Sequence, residues 1–160
     1  MTKGRPRPPP PEIQERLDLH RAWLKTWGKE GVRLDCAEGE LLDLSNLLLD
    51  GADLSFAVLP GAIFHGAHLR SAWLVKASLP DANFTKADIS GAHFDGADLT
   101  WCTFVEAKYV GMTVVGARLD FATWTRAEAA SRSRRARRSI KAFFDGVESA
   151  NPDQPDPSPV

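Results

Sequence analysis

Imidazole and thiol groups can bind a metal or act in covalent catalysis, and this sequence has four histidines and two cysteines, among them His65, His68, His93, Cys36 and Cys102. Zinc sites need several such ligands at short, defined spacings, and these residues have no cysteine or carboxylate cluster at such a spacing. The sequence also lacks a Gly-rich phosphate loop that leads into a helix, and it lacks a nucleophile elbow. We therefore expect no enzymatic activity, no metal site and no cofactor.

The element that positions most of these side chains is a five-residue repeat from Gly51 to Thr100. Ten consecutive pentads carry Ala at the second place and Leu, Ile or Phe at the fourth. Residues five apart are rotated by about 140° in a helix and alternate sides in a flat strand, so neither element buries this pattern. A chain that turns a corner every five residues can point both places at one axis. The repeat therefore predicts a solenoid.

The large inward residues indicate how many sides each coil has. Residues twenty apart are alike, with one aromatic column and one Leu column (Phe64, Phe84, Phe104 and Trp124; Leu59, Leu79, Leu99 and Leu119). Like side chains stack directly if four pentads form one coil and the coils lie about 4.8 Å apart. We expect four to five coils over residues 32–125, with the three histidines named above on outward positions of different sides or coils.

Four of the pentads resemble the pattern A(D/N)LxX of the pentapeptide-repeat family: GADLS at 51–55, DANFT at 81–85, KADIS at 86–90 and GADLT at 96–100. The resemblance implies an all-β solenoid, specifically a right-handed quadrilateral β-helix. In similar quinolone-resistance and microcin-protection proteins, an anionic solenoid imitates duplex DNA and binds DNA gyrase. In some other related members, C-terminal elements form a homodimer.

Length and composition fit one domain with tails, since the chain has 160 residues and 43% hydrophobic content. No run of 18 apolar residues predicts a membrane span, and the basic, Pro-rich N-terminus lacks the apolar core of a signal peptide. Cys36 and Cys102 would lie about three coils apart, which is too far for a disulfide. These features favour a reducing, cytoplasmic setting.

Segments outside the solenoid are predicted from composition and periodicity. Residues 1–11 are basic and Pro-rich, which predicts a disordered leader. Residues 12–28 predict a helix, and residues 126–148 predict a basic amphipathic helix that begins at a capping box. The Pro- and Asp-rich residues 149–160 predict a disordered tail.

The N-terminal helix presents apolar residues on one face (Ile13, Leu17, Trp23, Leu24 and Trp27). A solenoid has an exposed strand edge and an open apolar cross-section at its first coil, and both need a cover. We expect this helix to cap the first coil, with its two tryptophans as the plug. The alternative is a groove that binds a partner.

Aromatic residues stand at outward positions where the repeat favours small or polar groups, at Phe56, Trp73, Trp101 and Phe121. Trp101 and Phe121 are twenty residues apart, so they lie one above the other in a four-sided coil. Exposed aromatic residues are enriched at interface hot spots. We expect these four residues to contact the C-terminal helix, a dimer mate or a foreign protein partner.

The C-terminal helix combines a cationic surface with an apolar face (Arg132, Arg134, Arg135, Arg137, Arg138 and Lys141; Ile140, Phe143, Phe144 and Val147). Three interpretations are open. The apolar face caps the last coil, or it pairs with its twin in a homodimer, or the arginines bind nucleic acid or an anionic membrane.

Charge is unevenly distributed, because residues 32–129 carry seven basic and thirteen acidic groups whereas both flanks are positive. Asp53, Asp88 and Asp98 precede large core residues on this acidic solenoid. We interpret the chain as a non-enzymatic scaffold for protein–protein interaction, whose partner the sequence does not identify. A DNA mimic that binds DNA gyrase is the alternative, and attachment to nucleic acid or an anionic membrane is the third.

Overall fold

The computed structural model of the protein describes residues 6–36 and 39–124. Within these residues it contains a helix, α1, from Pro11 to Thr26, and two short parallel strands, β1 at Thr103–Phe104 and β2 at Thr123–Trp124. The rest of the repeat region consists of turns and single-residue bridges. No helix in the described part of the chain is long and apolar enough to cross a membrane.

Parallel ladders of bridges run along the solenoid. Within the repeats the ladders start at Asp43, Leu48, Asp53 and Val58, and each proceeds in steps of 20 residues. The ladder from Asp43 reaches Thr123, which is four complete coils. Each ladder pairs residues that are 20 apart, and four ladders start within one span of 20 residues. Each coil therefore has four sides. The four-sided coil that the columns of like residues predict is confirmed.

The chain turns a corner between successive pentads. At one corner the Ala52 amide donates to the Leu49 carbonyl at 3.0 Å, and the intervening Gly51 has a φ of 67°. A positive φ at the third residue of a four-residue turn is typical of a type II turn, which glycine adopts without steric cost. Pro60 and Pro80 occupy the second position of their turns, where the fixed φ of proline is favourable.

The core runs along the solenoid axis and is filled by the second and fourth residues of each pentad. Ala62, Ala92 and Phe84 are all 0% exposed. The aromatic column is continuous, because the Phe84 ring stacks on Phe64 at 4.7 Å and on Phe104 at 5.0 Å. The small residues leave room for these rings, so the inward register inferred from the sequence is correct.

Replacing Ala92 by Phe is expected to lower the free energy of unfolding by roughly 1–3 kcal/mol. Ala92 has no exposed surface, so the added ring must displace its neighbours in the coil. Thermal unfolding of the variant and of the wild type measures the effect. The exposed Lys76 provides a control, since Lys76→Phe adds a ring outside the core. An unchanged melting temperature for Ala92→Phe would contradict the tight packing of the core around this residue.

Chain segments outside the repeats cover the backbone edge of two sides of the first coil. The Arg7 amide donates to the Asn46 carbonyl at 2.9 Å, and the Leu48 amide donates to the Arg7 carbonyl at 2.8 Å. On another side, Asp35 forms a parallel bridge with Val58. Both segments satisfy backbone groups that the first coil would otherwise expose.

Helix α1 packs on the apolar end of the first coil. Leu17 is 8% exposed within the hydrophobic core, and Ile13 packs against it. The Arg16 guanidinium fixes the helix by donating to the Glu40 carboxylate at 2.7 Å and to the Asp35 carbonyl at 2.8 Å. The predicted N-terminal helix is therefore present, and its apolar residues contact the core as a cap requires.

Two details of this end differ from the sequence-based expectation. The composition predicts a disordered leader through residue 11, but Arg7 pairs with the first coil and Pro11 already belongs to α1. The sequence predicts that Trp27 is part of the plug, but its side chain is 88% exposed. The helix ends in a left-handed residue at Trp27, with a φ of 54°, and this turn directs the side chain away from the core.

Candidate functional site

The corners of the solenoid determine which side chains it displays. The first residue of each pentad has a positive φ, and although many of these residues are glycines, others carry side chains. A left-handed backbone costs roughly 1–2 kcal/mol per residue with a side chain, so a bulky residue there needs an explanation. Three of the four aromatic residues predicted as partner contacts lie at such corners: Phe56 at 62°, Trp101 at 61° and Phe121 at 58°.

Trp101 and Phe121 form a stacked, exposed pair, which we call the corner aromatic pair. Their ring centroids are 4.3 Å apart with an interplanar angle of 15°. The residues remain 56% and 54% exposed. Stacking fixes both rings with respect to the rigid coil, so they form a preorganised apolar surface of the kind that protein partners use.

The other two predicted aromatic residues lie elsewhere on the surface. Phe56 is 37% exposed at a different corner, with the Lys76 ammonium 5.8 Å from its ring centroid. Trp73 is 48% exposed on a side of the coil and stacks on His93 at 4.4 Å. The structure therefore brings together only Trp101 and Phe121 of the four.

The acidic groups of the solenoid are largely used by the fold itself. The carboxylates of Asp53, Asp88 and Asp98 each accept the amide of the residue two places later, as Asx turns do. This local bond explains why Asp or Asn suits the third place of the pentad. Arg118 also pairs with Asp98, at 3.1 Å.

Asp88 is the most enclosed of these carboxylates, with 8% side-chain exposure. The Arg70 guanidinium donates to it at 2.9 Å through Nε and Nη2, and the Lys108 ammonium lies at 3.8 Å. Burial raises the pKa of this carboxyl, but hydrogen bonds from Ser90 and Arg70 outweigh burial and lower the pKa overall. The charge of Asp88 is thus paired within the protein rather than offered to a partner.

The candidate catalytic and metal-binding side chains are not assembled. Cys102 is buried, its thiol donates to the Leu79 carbonyl, and burial raises its pKa to about 12, so the thiolate is not populated near neutral pH. Cys36 and Cys102 are free cysteines. His93 contacts the Thr113 hydroxyl at 3.2 Å. Across residues 6–36 and 39–124, no group of three or more His, Cys, Asp or Glu could hold a metal ion.

The residue that the sequence-based reasoning overlooked is His20. It is fully buried between α1 and the segment that leads into the repeats, where its Nδ1 accepts the Leu34 amide at 3.0 Å. A signal was present, because His20 follows Leu17 by three residues and Ile13 by seven, which places all three on one helical face.

The predicted C-terminal contacts lie outside the described residues. They comprise the cationic and apolar positions of the helix expected at 126–148 (Arg132, Arg134, Arg135, Arg137, Arg138, Ile140, Phe143, Phe144 and Val147). Capping of the last coil, homodimerisation, and attachment to nucleic acid or an anionic membrane therefore stay predictions for this segment.

Comparison with known proteins identifies the repeat. The profile of the family described as pentapeptide repeats matches residues 42–72 and 62–100, with eight copies. No curated protein matches the chain in sequence.

The chain is also similar to solved structures. HetL, a pentapeptide repeat protein involved in heterocyst differentiation regulation from the cyanobacterium Nostoc sp. strain PCC 7120, is 31% identical with a TM-score of 0.54, and the match covers 56% of this chain and 42% of HetL. A pentapeptide repeat protein from the Arabidopsis thaliana thylakoid lumen, AT2G44920, is 24% identical with a TM-score of 0.46, over 66% and 72% of the two chains. This chain therefore spans less than half the length of HetL.

QnrB1, a plasmid-mediated fluoroquinolone resistance protein, also matches, at 19% identity and a TM-score of 0.27 over 50% of this chain and 44% of QnrB1. The pentapeptide-repeat structures as a group imply the right-handed quadrilateral β-helix that the sequence predicts.

Proposed function

Since this chain is a pentapeptide-repeat protein, we propose that it is a non-enzymatic scaffold that binds a protein partner through its outer surface. Its core positions are filled by their own side chains, so binding must use the corners and sides. The regulatory role given for HetL is compatible with a protein that acts by binding. A cytoplasmic location stays a prediction of the sequence.

The observation that carries this proposal is the corner aromatic pair. Glycine would occupy these two corners without backbone strain, as it does at Gly61 in the same column. The chain instead has Trp and Phe there, both more than half exposed and stacked at 4.3 Å. Tryptophan is among the residues most enriched at interface hot spots, where a rigid ring loses little entropy on binding.

Salt dependence distinguishes this mode of binding from the electrostatic alternatives. We expect a partner captured from source-cell lysate by the full chain to stay bound in about 0.5 M salt, because apolar contacts are not screened. Attachment through Arg132–Arg138 to nucleic acid or an anionic membrane would be lost under the same wash. Release of every specific partner by salt would contradict the proposed mode.

DNA mimicry is the alternative function, and the charge pairing of the solenoid weakens it. A DNA mimic must display uncompensated carboxylates, and two carboxylates of the solenoid, Asp88 and Asp98, are instead paired with Arg70 and Arg118. We therefore expect no effect of micromolar protein on supercoiling by DNA gyrase, with or without a quinolone. Inhibition or quinolone protection in that assay would establish gyrase as the partner and overturn this expectation.

A further inference from the structure

His20 is an ionisable side chain sealed between α1 and the start of the repeats. It is 0% exposed, and its ring stacks on Trp23 with a centroid distance of 5.9 Å. Nδ1 accepts the Leu34 amide at 3.0 Å. Nε2 is buried and makes no hydrogen bond of good geometry, and the backbone group that favours protonation of the ring is that of Ser55. Both ring nitrogens therefore lie against protein atoms and not at the surface.

This geometry is compatible only with a neutral imidazole. Because Nδ1 acts as an acceptor, its lone pair must be free and the single proton must be on Nε2. Protonation would place an N–H on Nδ1 directly against the N–H of Leu34. It would also bury a positive charge, which is costly without a close anionic partner.

The groups around His20 shift its pKa in opposite directions. Asp53 from the first coil and Asp35 from the connecting segment favour the protonated ring, as does the Ser55 backbone, whereas Arg33 opposes it. On α1 the ring contacts the uncharged Trp23. Desolvation by burial is the largest influence, and it lowers the pKa of His20 despite the two carboxylates.

We propose that His20 is a pH-sensitive lock, whose neutral form holds α1 on the first coil and whose protonation releases the helix. Release would uncover the apolar end of the solenoid that Leu17 covers, and would leave the stacked and bridged repeats in place. His20 lies at the first coil of the solenoid, whereas the corner aromatic pair lies near the last coil. The proposed pH response is therefore independent of the proposed partner-binding surface.

The sign of the effect follows from linkage. The undocked helix has a histidine with its ordinary pKa of about 6.5, and the docked form has a lower one. Docking is therefore constant above about pH 6.5 and weakens as the pH falls from there towards the docked pKa. At pH 5 the opening equilibrium constant of α1 can rise by up to about 30-fold, the limit set by protonation of the undocked form.

Hydrogen exchange of the full chain, read by mass spectrometry, tests the lock. After correction for the intrinsic pH dependence of exchange, we expect residues 11–36 to lose protection between pH 7.5 and pH 5, by up to about 30-fold. Residues 61–100 should keep theirs. Equal protection of residues 11–36 at both pH values would overturn the proposal.

Variants identify His20 as the group responsible. In His20→Asn an amide oxygen can still accept the Leu34 amide but cannot titrate, so the pH dependence should disappear even if docking is weaker. His68→Asn, which changes a half-buried histidine on the solenoid surface, should retain it. A pH dependence that persists in His20→Asn would assign the effect to another group and overturn the proposal.

Gly31→Ala provides the reference for an undocked helix. Gly31 has a φ of 76°, and an added Cβ would lie 2.2 Å from the Leu19 carbonyl oxygen and 2.7 Å from the Trp23 amide nitrogen. This variant should lose the hydrogen-exchange protection of α1 at both pH values. Its exchange pattern is therefore the reference for an undocked helix.

The wild-type protein supplies a second measurement that needs no variant. NMR of the His20 ring should show the charged form only as the α1 protection is lost. A ring that titrates while α1 stays fully protected would contradict the lock.

Discussion

Replacing Phe84 by Ala is expected to lower the free energy of unfolding by about 3–5 kcal/mol. Phe84 is 0% exposed, and its ring is enclosed between Phe64 at 4.7 Å and Phe104 at 5.0 Å in the aromatic column. Phe94 contacts it edge-on at 5.6 Å. Parallel bridges hold the flanking coils at a fixed spacing, so the neighbouring rings cannot collapse into the cavity. Denaturant unfolding with linear extrapolation measures the loss.

Phe84→Leu is the matched control for this prediction. Leu already fills the equivalent position on another side of the coils, as at Leu79, so it preserves most of the packing. We expect it to cost about 1–1.5 kcal/mol, clearly less than the alanine variant. A cost below about 1 kcal/mol for Phe84→Ala would show that the aromatic column does not stabilise the solenoid.

Replacing both residues of the corner aromatic pair by glycine should abolish partner binding and leave the fold intact. Each hot-spot residue contributes about 2 kcal/mol or more, so the double variant Trp101→Gly, Phe121→Gly should bind its partner at least about 100-fold more weakly. Loss of the ring stacking lowers the free energy of unfolding by about 0.5–1.5 kcal/mol. Glycine removes the backbone strain of the positive φ at both residues, and this gain offsets the loss. The dissociation constant and the melting temperature are the two measurements.

Asp81→Gly separates the aromatic contribution from the backbone contribution. Asp81 lies in the same column as Trp101, and its φ of 61° means that glycine relieves similar strain there. We expect its partner affinity to stay near the wild-type value. Undiminished binding by the double variant would locate the partner surface elsewhere, and unfolding of the double variant would mean that the aromatic residues are structural.

The repeat region could be predicted in detail because one local geometry recurs. Columns such as the one containing Phe84 lie in register only if the coil has four sides, so the sequence alone determined the number of sides. The stacked arrangement of Trp101 and Phe121 followed from the same period. The use of Asp98 to accept an amide two residues later could also have been inferred, since Asp and Asn favour such turns.

The N-terminal end was predicted less well because its contacts do not repeat. Apolar periodicity located α1, but the docking direction depends on tertiary contacts, which bury His20 and expose Trp27. The bridge formed by Arg7 uses only backbone atoms, so no pattern of side chains in the sequence predicts it. The Pro-rich composition favoured disorder, whereas an extended backbone next to a free strand edge can pair with it.

Site-specific photo-cross-linking tests the claim that the corner aromatic pair contacts the partner. Phe121 would be replaced by the photoreactive p-benzoylphenylalanine in the full chain expressed in source cells, with the same replacement at Val115 as the control. Val115 is 78% exposed, against 54% for Phe121, so it is at least as accessible but lies outside the pair. We predict one discrete cross-linked protein from position 121 and none from position 115. No adduct at position 121, or the same adduct from both positions, would contradict the proposed binding surface.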